Sequence, residues 1–277
     1  MLTTRSLLIS LLLAILLSCQ QATVIENNQW SLSDAHFNEL LEMCNVNTLK
    51  TYDEFGERLE RIQDIFASNN DPRGAFPTVY KAITDAALAS VLVDDYDDAA
   101  FIEQFGLDFS KSYLHFLEQH LLNRPLEYHW ELYYRHCKEN ANITRLVVEG
   151  INGHLTIDLT RSLAAIGIVR DNLDDWILVG DKTVLSVPGF LEELQSEYNT
   201  DASELFHVYF IGDIIDEIFG DGTAVNFGFN LLRLDAFENA IKLQQPEKAE
   251  QIEKNMRKAF YERENIIALL DEMNLTP

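Results

Sequence analysis

His154 and Asp158 stand four residues apart in the segment Gly150-Ile151-Asn152-Gly153-His154-Leu155-Thr156-Ile157-Asp158-Leu159. An imidazole and a carboxylate at that spacing meet on one face of a helix, one turn apart. With Asn152 set at zero and about 100° per residue, Val147, Val148, Ile151, Leu155 and Leu159 fall between about 220° and 340°. That is an apolar stripe of the kind that faces a core. His154 falls at about 200°, at the edge of the stripe, and Asp158 at about 240°, inside it. An ionised carboxylate facing a core is costly without a partner, so Asp158 should be paired, and His154 is the nearest candidate.

Three chemistries fit this pair. The first is a hydrogen-bonded polar couple that fixes helix register, the common fate of buried polar groups. The second is an internal pocket for a small ligand, formed by Asn152, His154 and Asp158 with Arg233 and Asn239, which punctuate a later apolar stretch (Phe227, Phe229, Leu231, Leu232, Phe237). Asp235, four residues before Asn239, reads as part of a solvated face. The third is a divalent metal held by His154 and Asp158. A catalytic zinc normally takes three protein ligands, so His115, His120, His129, His136 or His207 would have to add to the set. There is no His-Glu-x-x-His or Cys/His cluster, no Gly-rich phosphate loop and no Gly-x-Ser-x-Gly elbow.

The elements that must position these residues read as helices almost throughout. Ser31, Ser33 or Asp34 caps a helix to about Cys44. Tyr52–Ser68 carries Phe55, Leu59, Ile62, Ile65 and Phe66 at amphipathic spacing, and Asn69-Asn70-Asp71-Pro72 ends it. Helices are expected over Phe76–Val93, Ala100–Leu122, Glu127–Lys138 and Thr144–Ile166. Further helices are expected from Pro188 to about Tyr198 and over Ser203–Phe219, Asn226–Gln244 and Glu247–Met273. Only Trp176-Ile177-Leu178-Val179 leaves room for a short extended segment, near 176–186. No repeat and no polar linker divides the body. The expectation is all-α: a single multi-helix, bundle-like domain over 31–277.

The first 18 residues are an address rather than structure. Arg5 is followed by a nearly unbroken apolar run, Leu7–Leu17, too short for a spanning helix of about 20 residues but right for a secretory signal. Leu16-Leu17-Ser18-Cys19 resembles the lipobox of bacterial lipoproteins. The resemblance implies cleavage after Ser18, acylation of Cys19 and a lipidated tether over 19–30, and Gln20 after the cysteine favours the outer membrane, facing the periplasm. An ordinary signal peptide with an incidental cysteine is the alternative. Cleavage would remove Arg5 and take the net charge from −24 to −25. Cys44 and Cys137 would remain, as a disulfide or as two buried thiols.

Composition narrows the partners. The chain has 277 residues, with 21 Lys+Arg against 45 Asp+Glu. That acidity excludes nucleic acid, which needs clustered cations, and suits a basic protein partner or a small ligand. Membrane contact is expected through the lipid anchor alone, since no later stretch is long and apolar enough to span a bilayer.

Larger patterns resemble a bacterial domain-of-unknown-function family, number 5995. They are Arg73-Gly74-x-Phe76 with Tyr80, Thr84, Phe109, Tyr113 and Trp130; the Gly150–Leu159 segment, where the family usually has Gly-Met-Asn-Ala-His-Ile-x-x-Asp-Leu; and Arg233-x-x-Ala236-Phe237-x-Asn239-Ala240, where it has Arg-x-x-Ala-Trp-x-Asn-Ala. The resemblance spans about Tyr52 to Leu243, departs at Gly153 and Phe237, implies a helical fold and carries no settled activity. His154-x-x-x-Asp158-Leu159 is also similar to a metal-ligand stretch in helical zinc nucleases and phospholipases C, which need several further ligands. The reading is therefore an envelope lipoprotein whose helical body binds a ligand or protein without chemistry. The alternative is a metal-dependent hydrolase using His154 and Asp158.

Overall fold

The computed structural model describes residues 28–93, 96–203 and 223–272, apart from the side chains of 223–229. The signal segment, Cys19, most of the tether, Asp94-Asp95, His207 and nearly all of the helix expected over Ser203–Phe219 lie outside those residues. Among the described residues there is no strand. The helices are α1 (Asp34–Met43), α2 (Tyr52–Ser68), α3 (Ala75–Leu92), α4 (Ala99–Leu121), α5 (Tyr128–Lys138), α6 (Ile143–Gly153), α7 (Leu159–Ala165), α8 (Leu173–Val184), α9 (Val187–Tyr198), α10 (Thr223–Leu243) and α11 (Pro246–Glu272). Among them no helix is long and apolar enough to cross a membrane.

Local sequence sets the ends. Ser33, Thr51, Asp98 and Asn142 each cap a helix, their side-chain oxygens accepting from the backbone N–H of His36, Glu54, Phe101 and Arg145. At the C-terminal ends of α2, α4, α5 and α9 stand Asn70, Asn123, Asn140 and Asn199, all left-handed with φ of 48–54°. Asparagine is the residue after glycine that best tolerates that geometry. The breakers legible in the sequence thus act through asparagine more than through glycine.

Among the described residues the all-α expectation holds even where the sequence left room for an extended segment. The short extended segment near 176–186 is absent: Leu173–Val184 is helix α8, and Val187 opens α9 after a single tight connection. A short apolar run does not by itself distinguish a strand from a buried helix. Packing decides it here, because the helix puts Trp176, Val179 and Gly180 on one buried face and leaves Ile177 exposed.

The core is organised around α3. Its Ala- and Leu-rich sequence buries Phe76, Val79, Tyr80, Thr84 and Ala87, and it packs against α2, α6, α8 and α9. Between α6 and α7 the chain does not stay α-helical. His154–Asp158 forms a π turn, closed by Leu159 N–H donating to His154 O, five residues back. Such widened turns occur mostly as single insertions in helices, often where side chains must be re-aimed. This one touches α4, α10 and α11. The pair at the centre of the sequence argument therefore sits on the one irregular turn of an otherwise α-helical run.

Two glycines fix close approaches. A Cβ at Gly74 would lie 1.9 Å from the Tyr198 hydroxyl and 2.7 Å from Phe66 Cβ, and one at Gly150 would lie 2.6 Å from the Phe76 ring. Arg73, fully buried, hydrogen-bonds Asp71 through Nε at 2.9 Å and Asn28 O through Nη1 at 2.6 Å, with its guanidinium 4.1 Å from the Trp30 ring centroid. The Arg-Gly-x-Phe motif is thus a structural clamp between the N-terminal segment and α3. Cys44 and Cys137 are separate buried thiols, and burial pushes both well above the ordinary thiol range.

Candidate functional site

Asp158 is nearly solvent-free and accepts three hydrogen bonds. Oδ1 takes His129 Nε2 at 2.9 Å; Oδ2 takes Trp130 Nε1 at 2.9 Å and His154 Nδ1 at 3.0 Å. Burial alone would raise its pKa, but the neighbouring His129 and the hydrogen bonds from both imidazoles outweigh that and hold the carboxyl well below its usual range. An ionised carboxylate can only accept, so both imidazoles present N–H to it.

His154 is lowered as well, which for an imidazole favours the neutral form. Burial lowers its pKa despite the opposing pull of Asp158, so the ring is neutral at pH 7. It lies stacked on Phe109 with centroids 3.9 Å apart, with Tyr80 at 4.7 Å and Phe76 at 5.2 Å edge-on. Its Nε2 has no hydrogen-bond partner. An acid orienting a histidine is half of a general-base device, and this histidine is surrounded by the rings of Phe109, Tyr80 and Phe76. What the arrangement does is tie α5 to the π turn.

The five residues of the composite pocket divide among separate contacts. His154 and Asp158 share the network just described. Asn152 points at α11: its Nδ2 donates to Glu264 Oε1 at 2.6 Å and to Phe260 O at 3.2 Å, while its Oδ1 accepts from Thr156 Oγ1 at 3.1 Å. Burial, reinforced by Glu149, raises Glu264 to about 8 even though Asn152 hydrogen-bonds it. Asn239 is half-buried on α10 and belongs to none of these hydrogen bonds. As metal ligands the pair fits poorly: His154 Nδ1 and Asp158 Oδ2 bond each other directly, where a metal would need each at about 2.0–2.2 Å from itself. Among the described residues no group of three or more His, Cys, Asp or Glu could hold a metal ion.

Arg233, on α10, lies in the wall of a cavity of about 70 Å3 bounded also by α2, α3, α4, the π turn, α7, α8 and α9. Tyr80, Phe105, Phe109, Leu159, Trp176 and Phe190 form much of its lining. The guanidinium is 4.2 Å from the Trp176 ring centroid; Nη2 donates to Trp176 O at 2.9 Å, and Trp176 Nε1 donates to Arg233 O at 3.1 Å. Gly180 makes room for it, because a Cβ there would lie 1.5 Å from Nη1. Burial lowers Arg233 to about 10, with Asp181 pulling it back, so it is a cation at neutral pH. Phe109 and Tyr80 are shared walls, touching the cavity and the His154 ring alike.

Sequence reasoning missed His129 and Trp130 as partners of Asp158, and Trp176 as the platform for Arg233. Both histidine and tryptophan are visible on an aromatic helix, but they stand 29 and 28 residues from Asp158, respectively, and nothing in one sequence reports which helices pack together.

The model of one family, described as a family of unknown function (DUF5995), matches residues 52–277. No curated protein and no solved structure matches the chain.

Proposed function

Because the chain belongs to the DUF5995 family, which brings no activity with it, we propose a function from its own residues: it is an envelope lipoprotein whose helical body binds a small, mainly apolar ligand. The cavity beside Arg233 carries this reading. It is lined mainly by aromatic and aliphatic side chains, with very few polar groups converging on it, the usual make-up of a small-molecule site. The Asp158 network supports it, since His154 stacks on Phe109 and lies edge-on to Tyr80, both residues of the cavity wall. Rigid support of this kind lets a cavity persist instead of collapsing.

Anchoring follows from the first residues. The apolar run before Cys19 and the lipobox-like Leu16-Leu17-Ser18-Cys19 support acylation of Cys19, with the body held off the outer membrane in the periplasm.

The test of ligand binding uses butan-1-ol, a short apolar chain with one polar end. Saturation-transfer NMR and thermal unfolding of the full chain should report binding at millimolar alcohol. Ala87→Leu, which fills the cavity from α3, should abolish it. Equal response in the native chain and in Ala87→Leu would sink the reading.

A further inference from the structure

Arg233 is only 7 % exposed, yet no carboxylate among the described residues lies within ion-pair distance of it. Asp181, the acid whose charge acts on it, is instead hydrogen-bonded by Asn230 Nδ2 at 3.0 Å. Lys182, on the same helix, adds no negative charge. A desolvated cation is ordinarily paired, because taking it out of water is costly without an opposite charge. The π-face of Trp176 and one peptide carbonyl offset only part of that cost. The side chain also borders a second hollow of about 110 Å3, lined by Trp176, Ile177, Asn230 and Leu234, so it stands as a partition between that hollow and the cavity.

A buried cation in an otherwise apolar lining calls for one ligand with an acidic oxygen pair and a hydrocarbon remainder.

We propose that this cavity takes a small monocarboxylate with a short aliphatic body, its carboxylate against Arg233 and its hydrocarbon among Phe105, Phe109, Leu159 and Phe190. The inference rests on the cavity being a ligand site and adds the chemical class of the ligand. A planar guanidinium matches a carboxylate in shape and charge. One cation balances one negative charge, and the field of a chain at −24 opposes anions of higher charge. The volume restricts the body to a few carbons.

The experiment compares butyrate, butan-1-ol and butylammonium, each at millimolar concentration and fixed ionic strength, on the full chain by saturation-transfer NMR and thermal shift. Butyrate should bind at least tenfold more tightly than butan-1-ol, and butylammonium should not bind. Arg233→Gln should erase the preference of butyrate over the alcohol, and Arg233→Lys should keep part of it. If Arg233→Gln does not fold, Ala87→Leu provides the control, since it should abolish butyrate binding with Arg233 intact. Butyrate and butan-1-ol binding equally would overturn the carboxylate inference while leaving the ligand cavity standing. Binding by neither would overturn both.

Discussion

At the scale of single residues, the fold is shaped by what buried charge requires. Asp158 is stabilised by three donors from two elements, so removing its charge leaves donors facing a poorer acceptor. Asp158→Asn should lower unfolding free energy by about 3–5 kcal/mol, measured by urea titration. A change below about 1 kcal/mol would mean that the network contributes little. The pair also carries a pH dependence. His154 has a folded pKa below its unfolded value, so its contribution is complete above the ordinary histidine range and declines as the unfolded chain takes up a proton below about pH 6.5. Asp158, likewise depressed, loses its contribution only at far lower pH. Unfolding free energy measured against pH should therefore decline less with acid below about pH 6.5 in His154→Phe than in the native chain, while His120, also lowered by burial, and Glu264, raised by burial, keep their opposite contributions in both. The sequence made His154–Asp158 legible because one helical turn is a local distance. His129 and Trp130 were not legible as partners, because their approach is a property of helix packing.

At the scale of elements, the docking of α11 is the most instructive case. Its Ile252, Met256, Phe260, Glu264, Ile267 and Leu270 form one buried stripe, with a carboxyl in its middle. Opposite it, Arg161–Glu253, Arg263–Thr156, Asn152–Glu264 and Arg145–Asp271 run in antiparallel order along α7, the π turn and α6. Glu264 at about 8 binds a proton in the folded chain that the unfolded chain, near 4.5, releases. Its contribution is thus complete below about pH 4.5 and is lost as pH rises to about 8. Glu264→Gln keeps the oxygen that accepts from Asn152 and removes the titration. It should raise the melting temperature at pH 8.5 and hardly change it at pH 5, by calorimetry. A lower melting temperature at both values would refute this account of the contact. Two glycines of the central motif should behave differently for a similar reason. Gly150→Ala drives a methyl into Phe76 and should cost about 1–3 kcal/mol. Gly153→Ala meets only His129, at 3.2 Å, and should stay within about 1 kcal/mol because helix propensity offsets the crowding. Urea midpoints of the two variants measure the difference.

At the scale of the whole molecule, the buried thiols and the anchor give separate readouts. Cys44 and Cys137 should resist an aqueous thiol reagent in the native protein and react only on unfolding, which mass spectrometry of alkylated peptides would show. Reaction of either in the native chain would mean that the core opens there. The proposal for Cys19 has its own test. Cys19→Ser expressed in a Gram-negative cell should leave the membrane fraction, and retention there would sink the lipid anchor.

The amino-acid sequence by itself determined that the chain folds as an all-α body, and it placed most helix ends within a residue or two. Apolar periodicity, capping side chains and asparagine breakers all act over one or two turns, so they can be read along the chain. Trp176–Val179 escaped that reading because a run of four apolar residues serves a strand and a buried helix equally, and only the neighbours of α8 select between them. The tertiary structure alone decided that Arg233 stands in a cavity wall against Trp176, that Asn152 serves α11, and that Asp158 is shared by His129, Trp130 and His154. Those pairings join residues far apart in sequence, and their energies depend on which faces are brought together out of water, a quantity no local pattern contains.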